Sequence, residues 1–322
     1  MISEIINNGL DLTITDNTLI FIYSILGFMV VGTLFFGIWH QLNKENKNVY
    51  NFFLRFKSLW VVVLILGISF TFNRLTAFLA LILISYLTFK EYISLVPTRK
   101  ADRRVLLWAY IAIPIQFYFL YIDWLNMFYL FIPLFMFVLI PIRMIAVGEN
   151  KGFLGACGTI HWGLMVSAYS LGYLAALLNI TPNDNPNGAG LGLLLFVMVA
   201  TISNDFAQAI CGKLFGKHKI IPKVSFNKTV EGFLGGLTFS MIFAYLVLPH
   251  ISNIEGITTI FVGIGMSLSG FFGDVIMSAI KRDIGVKDSG AMLPGHGGIL
   301  DRVDSLIISA PFFYHIYHYI YC

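Results

Sequence analysis

Long apolar stretches separated by short polar connections dominate this 322-residue chain. Apolar runs of about 20 residues recur from residue 18 onward, and a helix of that length crosses the ~30 Å hydrocarbon core of a bilayer. We delimit ten such segments, at 18–39, 58–72, 75–89, 104–121, 125–142, 153–180, 189–212, 230–249, 256–280 and 305–321. The pattern predicts an all-α fold, a polytopic transmembrane helix bundle of about ten helices.

Composition agrees with a membrane protein. Hydrophobic residues make up 57% of the chain and charged residues only 12%, and the mean hydropathy is +0.80. A soluble domain carries about 25% charged residues, so this chain has too few to cover a water-exposed surface. The residues before the first segment include Glu4, Asp11 and Asp16 rather than a basic stretch. We therefore expect no cleavable signal peptide and a first segment that remains as an anchor.

Basic residues fall in alternate connections between the apolar segments. The connections at 122–124, 181–188 and 250–255 carry no Lys or Arg, whereas the loops after the first, third and fifth segments are basic. Because positively charged loops stay in the cytoplasm, this alternation predicts cytoplasmic basic loops and both termini outside. The acidic start without a transit peptide favours a bacterial cytoplasmic membrane, and the functional loops described next would then face the cytoplasm.

The chain shows no internal repeat and no separate soluble domain. Polar residues of chemical interest concentrate after residue 180. We therefore divide the chain into N-terminal transmembrane helices, residues 1–180, and a C-terminal catalytic transmembrane region, residues 181–322.

The connection between the seventh and eighth segments is unusually rich in lysine. Five lysines fall within 16 residues, between Lys213 and Lys228, and small hydroxyl and amide residues are interleaved with them. Such a loop suits a polyanion such as a nucleoside triphosphate. A basic loop that only contacts anionic lipid is the alternative. The candidate phosphate-binding residues are Lys213, Lys217, Lys223, Ser225, Asn227 and Lys228.

The connection between the ninth and tenth segments, residues 278–304, mixes both signs of charge. Four cations (Lys281, Arg282, Lys287, Arg302) alternate with four acids (Asp283, Asp288, Asp301, Asp304) around a Pro-Gly-His-Gly-Gly turn. A loop that only oriented the protein would need no acids. Mg²⁺ prefers one or two carboxylates plus phosphate oxygens and water, so a metal and phosphates sharing one site explain the mixture. A surface salt-bridge network is the alternative.

Two acids fall inside apolar segments, near their cytoplasmic ends. Asp205 and Asp274 each lie roughly 10 Å deep at 1.5 Å per residue, where a carboxylate normally faces a partner or a water-filled cavity. Asp274, Ser278 and Lys281 share one helical face, and Asp205 shares another with Gln208. These two stripes predict a metal–phosphate pocket beneath the two loops. A protonated Asp bonded between helices is the alternative.

The stretch from Ser278 to Asp304 resembles the signature of the phosphatidate cytidylyltransferases, also called CDP-diacylglycerol synthases. Its matching elements are Ser278, Lys281-Arg282, Lys287-Asp288, Gly295-His296-Gly297-Gly298 and Asp301-Arg302-Val303-Asp304. A second block is similar, with Gly212, Gly216-Lys217, Pro222-Lys223, Ser225, Asn227-Lys228-Thr229 and Glu231-Gly232. Two positions depart from the family: Met277 stands where a Glu is usual and Phe226 where a Pro is usual.

The resemblance implies that CTP and phosphatidate give CDP-diacylglycerol and pyrophosphate, in phospholipid biosynthesis. It implies Mg²⁺, with Asp274 and Asp288 as leading ligands and Asp205 and Asp301 as alternates; a second cation is left open. The catalytic candidates are Lys281, Arg282, Lys287, Asp288, His296, Asp301, Arg302 and Asp304. The expected partners are CTP and a membrane lipid phosphate, with no nucleic acid. The sequence leaves open whether the chain is a monomer or a homodimer.

Other functions remain open at this point. The nearest is another CTP-dependent lipid enzyme, either a cytidylyltransferase for an ether-lipid or isoprenoid phosphate or a polyprenol kinase. The departures at Met277 and Phe226 keep this alternative open, and the product, pyrophosphate or CDP, separates transferase from kinase. A transporter is disfavoured because the chain lacks repeated halves. A non-catalytic homologue is disfavoured by the complete set of Lys, Asp and His residues.

Overall fold

Long helices make up most of the computed structural model, which describes residues 14–42, 60, 63, 67, 69–70, 73–99, 102–149, 151–181, 183–286, 289–290 and 298–321. The helices are α1 (Asp16–Leu42), α2 (Arg74–Leu95), α3 (Arg103–Tyr121), α4 (Leu125–Ile145), α5 (Phe153–Leu178), α6 (Ala189–Phe215), α7 (Val230–Ile251), α8 (Ile257–Asp283), the short α9 (Leu300–Val303) and α10 (Leu306–Tyr321). Both α4 and α5 contain a π-helical turn, at Phe131–Met136 and Met165–Tyr169.

The predicted helical membrane bundle is confirmed. In the part of the chain that the structure describes, α1 to α8 are each long and apolar enough to cross a membrane. The predicted segment 305–321 corresponds to α10, which has 16 residues and is shorter than the usual span of about 20. The predicted segment 58–72 lies mostly outside the described residues.

Connections between the helices alternate between two ends of the bundle. At one end the Thr15 hydroxyl donates to the carbonyl of Asn187 at 2.7 Å, and Asn187 Nδ2 donates to the carbonyl of Ser252 at 2.9 Å. At the opposite end Arg99 Nη1 donates to the carbonyl of Glu149 at 3.2 Å. This grouping matches the alternation that the charge pattern predicts. Which end faces the cytoplasm stays a prediction.

The described Lys and Arg residues lie at or near one end, which we call the basic end, with one exception. Arg74, at the start of α2, lies at the opposite end and forms an ion pair with Asp123 at 3.2 Å. Asn73 caps α2 there, because its side chain accepts from the backbone N–H of Thr76 at 2.7 Å. The single cation at the sparsely charged end is therefore neutralised locally.

Glycines allow α6 and α7 to approach closely. A Cβ at Gly232 would lie 2.7 Å from the carbonyl oxygen of Gln208, and a Cβ at Gly236 would overlap the Gln208 side chain. On α8, a Cβ at Gly273 would lie 2.5 Å from the carbonyl oxygen of Asp304. Small residues of this kind let membrane helices pack backbone to backbone. The close packing places α7 against α6 and the α9–α10 junction against α8.

Candidate nucleotide and metal site

A cluster of carboxylates forms where α6, α8 and the α9–α10 junction meet. Asp205 comes from α6, Asp274 from α8, and Asp304 directly follows α9. Burial, and then the negative charges of Asp274 and Asp205, raise the pKa of Asp304 well above its ordinary value. The three carboxylates are therefore close enough to repel one another. Such a cluster is stable only when cations neutralise part of its charge.

Lys228 supplies one of these cations from the lysine-rich loop, residues 216–229. Its Nζ lies 2.5 Å from Asp274 Oδ2 and donates to Gln208 Oε1 at 3.2 Å. Burial lowers the pKa of Lys228, but the nearby charges of Asp274 and Asp205 outweigh it, so the pKa is raised overall. The ammonium group therefore stays charged, and it joins the loop to α6 and α8.

The lysine-rich loop is held in place by its own backbone and by the start of α7. Ile220 N donates to the carbonyl of Lys228 at 3.2 Å, which folds the loop back on itself. The Thr229 hydroxyl accepts from Gly232 N at 3.1 Å and caps α7. Glu231 accepts from the backbone N–H of Lys217 at 3.0 Å. These bonds fix the backbone on both sides of Lys228.

Lys281, two residues before the end of α8, supplies a second buried cation. Its side chain is 10% exposed, and its Nζ lies 2.6 Å from Asp301 Oδ1 and 3.9 Å from Asp304 Oδ2. Asp301 Oδ2 also accepts from the backbone N–H groups of Ser289, at 2.8 Å, and Gly298, at 3.1 Å. Burial raises the pKa of Asp301, but Lys281 and these N–H groups lower it overall. Asp301 is therefore a charged anchor for the loop that precedes α9.

Two buried polar atoms of α6 near the cluster have no hydrogen-bond partner among the described residues, Asn204 Nδ2 and Gln208 Nε2. The side chains of Asp205 and Ser305 interact with each other. Buried polar groups are normally satisfied by protein, water or a ligand, so the two unpaired atoms favour a polar ligand site. They come from α6, the helix that carries Asp205.

The donor set fits a metal that shares its coordination with a substrate. Within the described ranges, no three His, Cys, Asp or Glu side chains form a metal-binding group by themselves. Mg²⁺ does not require such a cage, because it takes one or two carboxylates and completes its shell with phosphate oxygens and water. Asp205 and the neighbouring Asp274 satisfy that requirement.

The structure brings some of the predicted residues together and leaves others at the surface. Clustered in the site are Asp205, Lys228, Asp274, Lys281, Asp301 and Asp304. Exposed around its rim are Lys213, Lys217, Lys223, Asn227, Arg282 and Arg302, and Ser225 is half-buried. Arg282 Nε donates to the carbonyl of Val224 at 3.3 Å, which ties α8 to the lysine-rich loop. Lys287, Asp288 and His296 lie outside the described residues.

Glu91 is a site neighbour that the apolar pattern did not reveal. Its side chain comes from α2, and its Oε2 accepts from the backbone N–H of Leu300 at 2.7 Å. The sequence places the end of the apolar segment at residue 89, which predicts that Glu91 belongs to the following loop or interfacial helix. The helix instead continues to Leu95, so that Glu91 becomes a buried helical residue with 7% exposure.

Met277, at the position where the resemblance expects a glutamate, is 1% exposed and belongs to the apolar core. Its side chain packs with hydrophobic residues on the buried side of α8. Asp274 and Ser278 flank it in sequence, and the Ser278 hydroxyl donates to Asp274 Oδ1 at 3.1 Å. The metal candidate on this part of α8 is therefore Asp274.

Comparison with known proteins is consistent with the geometry. The model of the cytidylyltransferase family matches residues 53–320. The uncharacterized protein YnbB of Escherichia coli (strain K12) is 37% identical over 298 residues, which are 92% of this chain and 97% of that protein. The phosphatidate cytidylyltransferases of Staphylococcus saprophyticus and Staphylococcus aureus (strain COL) are 45% and 43% identical over 123 residues. That match covers 38% of this chain and 47% of each relative.

Proposed function

Because the chain belongs to the cytidylyltransferase family, we propose that it transfers the cytidylyl group of CTP to phosphatidate within the membrane. The products are then CDP-diacylglycerol and pyrophosphate. The observation that most supports a lipid acceptor is the position of Asp205 and Asp274, which lie on membrane-spanning helices α6 and α8. A soluble acceptor would not require charged residues inside apolar helices, where a carboxylate is costly.

The depth of the two acids suits a lipid whose phosphate enters from the side. Asp205 lies about 15 Å along the helix axis from the end of α6, and Asp274 about 13 Å from the end of α8, at 1.5 Å per residue. Each helix has 27 residues, about 40 Å, which exceeds the ~30 Å hydrocarbon core, so part of that distance lies in the headgroup layer. A phosphatidate phosphate at that level would reach the cluster while its acyl chains remain in the bilayer. CTP would approach from the aqueous side, where the exposed lysines of the loop lie.

In the proposed reaction an oxygen of the phosphatidate phosphate attacks the α-phosphorus of CTP. A new P–O bond forms, the bond between the α-phosphorus and the bridging oxygen of the β-phosphate breaks, and pyrophosphate leaves with that oxygen. The attacking phosphate monoester is already an anion at neutral pH, so no strong general base is required. The barrier is mainly repulsion between anions and the need to align them, and fixed cations lower both contributions.

Lys228 and Lys281 are the best-supported cations for this role because both are held beside carboxylates. We assign the exposed Lys213, Lys217, Lys223 and Asn227, with the half-buried Ser225, to the triphosphate and nucleotide. Arg282, which is bonded to the loop carbonyl of Val224, would help to hold that loop over the site. Lys287, Asp288 and His296 remain proposed catalytic residues, and Arg302 a proposed orienting one.

Asp205 and Asp274 are the proposed ligands of Mg²⁺, with Asp288 as a further one. Mg²⁺ supplies charge neutralisation on the phosphates when it is bound. Asp301 stays an alternate ligand: its oxygens accept hydrogen bonds from Lys281 and from two backbone N–H groups, as those of Asp274 do from Ser278 and Lys228, so hydrogen bonding does not separate the two acids. A second cation and a homodimer remain open proposals.

A different lipid phosphate is the second candidate acceptor. Met277 favours it, since the phosphatidate enzymes that this chain resembles usually carry a carboxylate at that position and here the residue is buried in the core. The relative that matches along nearly its whole length is uncharacterized, whereas the two named phosphatidate enzymes match over about half of theirs. The candidates of this kind are ether-lipid and isoprenoid phosphates.

A panel of acceptors tests the proposal. The purified chain in detergent would be incubated with Mg²⁺, CTP labelled at the α-phosphate, and either phosphatidate, an ether-lipid phosphate or a polyprenyl phosphate. We expect label in the organic phase with phosphatidate, at a rate at least about ten times that with either alternative. Labelled lipid with the polyprenyl or ether-lipid phosphate alone would overturn the phosphatidate assignment while retaining the transferase.

A further inference from the structure

Glu91 connects α2 with the end of the loop that precedes α9. This loop, residues 284–299, joins α8 to α9, and the structure describes 284–286, 289–290 and 298–299 of it. Glu91 Oε2 accepts from the backbone N–H of Leu300 at 2.7 Å, across 209 positions of the chain. A buried carboxylate that accepts a backbone N–H makes a charge-assisted hydrogen bond, which is stronger than a neutral one.

The other carboxylate oxygen of Glu91 lies against both described ends of the loop. A Cβ placed on Gly290 or on Gly298 would overlap Glu91 Oε1. A side chain at either position would therefore push the Glu91 carboxylate away from the loop. The two ends of the loop converge on one side chain of α2.

Asp301 binds the same two ends of the loop. Its Oδ2 accepts from Ser289 N and Gly298 N, and its Oδ1 pairs with Lys281. Glu91 and Asp301 together hold the loop closed at its base. Displacing the base would shift the Lys281–Asp301 pair and, one helical turn further on, Asp304.

We propose that Glu91 is a positioning residue for the transfer reaction, fixing the base of the α8–α9 loop and the start of α9 so that Lys281 and Asp304 stay aligned with Asp274. This inference rests on the proposed function of the cluster. Glu91 acts through the backbone of Gly290, Gly298 and Leu300 and has no role in contacting substrate. Its loss should therefore lower the rate of transfer more than it weakens CTP binding.

Two substitutions separate positioning from folding. Glu91→Ala removes both acceptor oxygens, whereas Glu91→Gln keeps one carbonyl acceptor and nearly the same volume. Glu149→Gln is the matched control, since Glu149 is an exposed acid at the same end of the bundle and its side chain lies outside the cluster. The full-length variants would be compared in transfer rate, in KM for CTP and in amide hydrogen exchange.

For Glu91→Ala we expect a kcat about tenfold or more below that of the unchanged protein, with KM for CTP within about threefold. Amide exchange of the 298–303 segment should accelerate by about tenfold, while exchange within α7 stays the same. The kcat and the amide exchange of Glu91→Gln should lie between those of Glu91→Ala and those of the unchanged protein. Glu149→Gln should match the unchanged protein in both measurements. The local change in exchange is a signature that a general loss of stability would not produce.

Unchanged exchange at 298–303 in Glu91→Ala would overturn the inference, and so would acceleration of equal size in α7. A kcat of Glu91→Ala equal to that of Glu149→Gln would overturn the inference as well. The rate is measured with whichever acceptor the unchanged protein uses, so failure of phosphatidate alone counts against the proposed acceptor and not against Glu91. If the unchanged protein transfers cytidylyl to no acceptor, both proposals fail.

Discussion

Lys228 Nζ lies 2.5 Å from Asp274 Oδ2, and this ion pair joins the lysine-rich loop to a membrane-spanning helix. The two side chains are 17% and 23% exposed, so water screens their attraction only in part. Gln208 accepts from the same ammonium group and adds α6 to the connection. A phosphate that enters the cluster therefore meets a cation already fixed between three elements of the fold.

Replacing Lys228 should disable the site without unfolding the bundle. Lys228→Met leaves the carboxylates of Asp274 and Asp205 without their shared cation, and removal of one partner of a buried pair is strongly destabilising locally. We expect kcat/KM for CTP to fall by about a hundredfold. Lys219→Met is the control in steady-state kinetics, because Lys219 is an exposed cation of the same loop. Equal effects of the two substitutions would show that the loop contributes only general positive charge.

Asparagine at the intramembrane acids should alter the response to Mg²⁺. Asp274→Asn and Asp205→Asn keep the side-chain shape but remove the charge that the proposed metal requires. We expect the Mg²⁺ concentration for half-maximal transfer to rise by about tenfold or more in each variant. Asp283→Asn, at the exposed end of α8, should leave the titration unchanged. Superimposable Mg²⁺ titrations for Asp274→Asn and the unchanged protein would remove Asp274 from the ligand set.

Restoring the usual family residue at position 277 should harm the protein. Met277 is buried in the apolar core, and a carboxylate there would be buried without a partner. We expect Met277→Glu to lower the thermal unfolding temperature in detergent by several degrees, whereas the volume-conserving Met277→Leu changes it little. If Met277→Glu unfolds at the same temperature and transfers faster, the side chain must reach the site, and the departure at 277 would then matter for catalysis.

The glycine contact between α6 and α7 should be essential for packing. A Cβ at Gly236 would overlap Gln208 and lie 2.9 Å from Asn204 Oδ1, so Gly236→Ala forces the two helices apart. Overpacking of this kind costs about 1–3 kcal/mol of unfolding free energy, and it should also disturb Gln208 beneath Lys228. Thermal unfolding and transfer rate would both report the change. Gly27→Ala is the control, because a Cβ there meets no described atom within 4 Å. An equal loss of thermal stability and transfer rate in both variants would contradict the packing argument.

Much of the fold follows from the sequence because the bilayer constrains it strongly. An apolar run of sufficient length has few alternatives to a membrane helix, and α1 to α8 bear this out in the described part of the chain. Asp205 and Asp274 stand out for the same physical reason, since acids are rare in such helices. Helical spacing places each acid on a face that leads to a charged loop, and Lys228 belongs to the loop that joins α6 to α7. The sequence therefore predicts that Lys228 lies near the two acids.

Contacts between distant segments are what helical periodicity does not reveal. Glu91 and Leu300 are 209 positions apart, and no spacing rule connects them. The true end of α2 at Leu95 was also hidden, because Lys90 and Glu91 resemble the start of a polar loop. Met277 lies on the buried side of α8 beside a charged stripe, and only packing reveals which way it faces.

The most direct test of cytidylyl transfer at this site follows two labels at once. The unchanged protein, Lys228→Met and Asp274→Asn would each receive phosphatidate, Mg²⁺ and CTP labelled at either the α- or the γ-phosphate. We predict that the unchanged protein moves the α-label into lipid and releases the γ-label as pyrophosphate, and that both variants lose at least about 99% of this transfer. A γ-label that enters lipid would identify a CTP-dependent kinase, and full α-label transfer by both variants would place the reaction elsewhere in the chain.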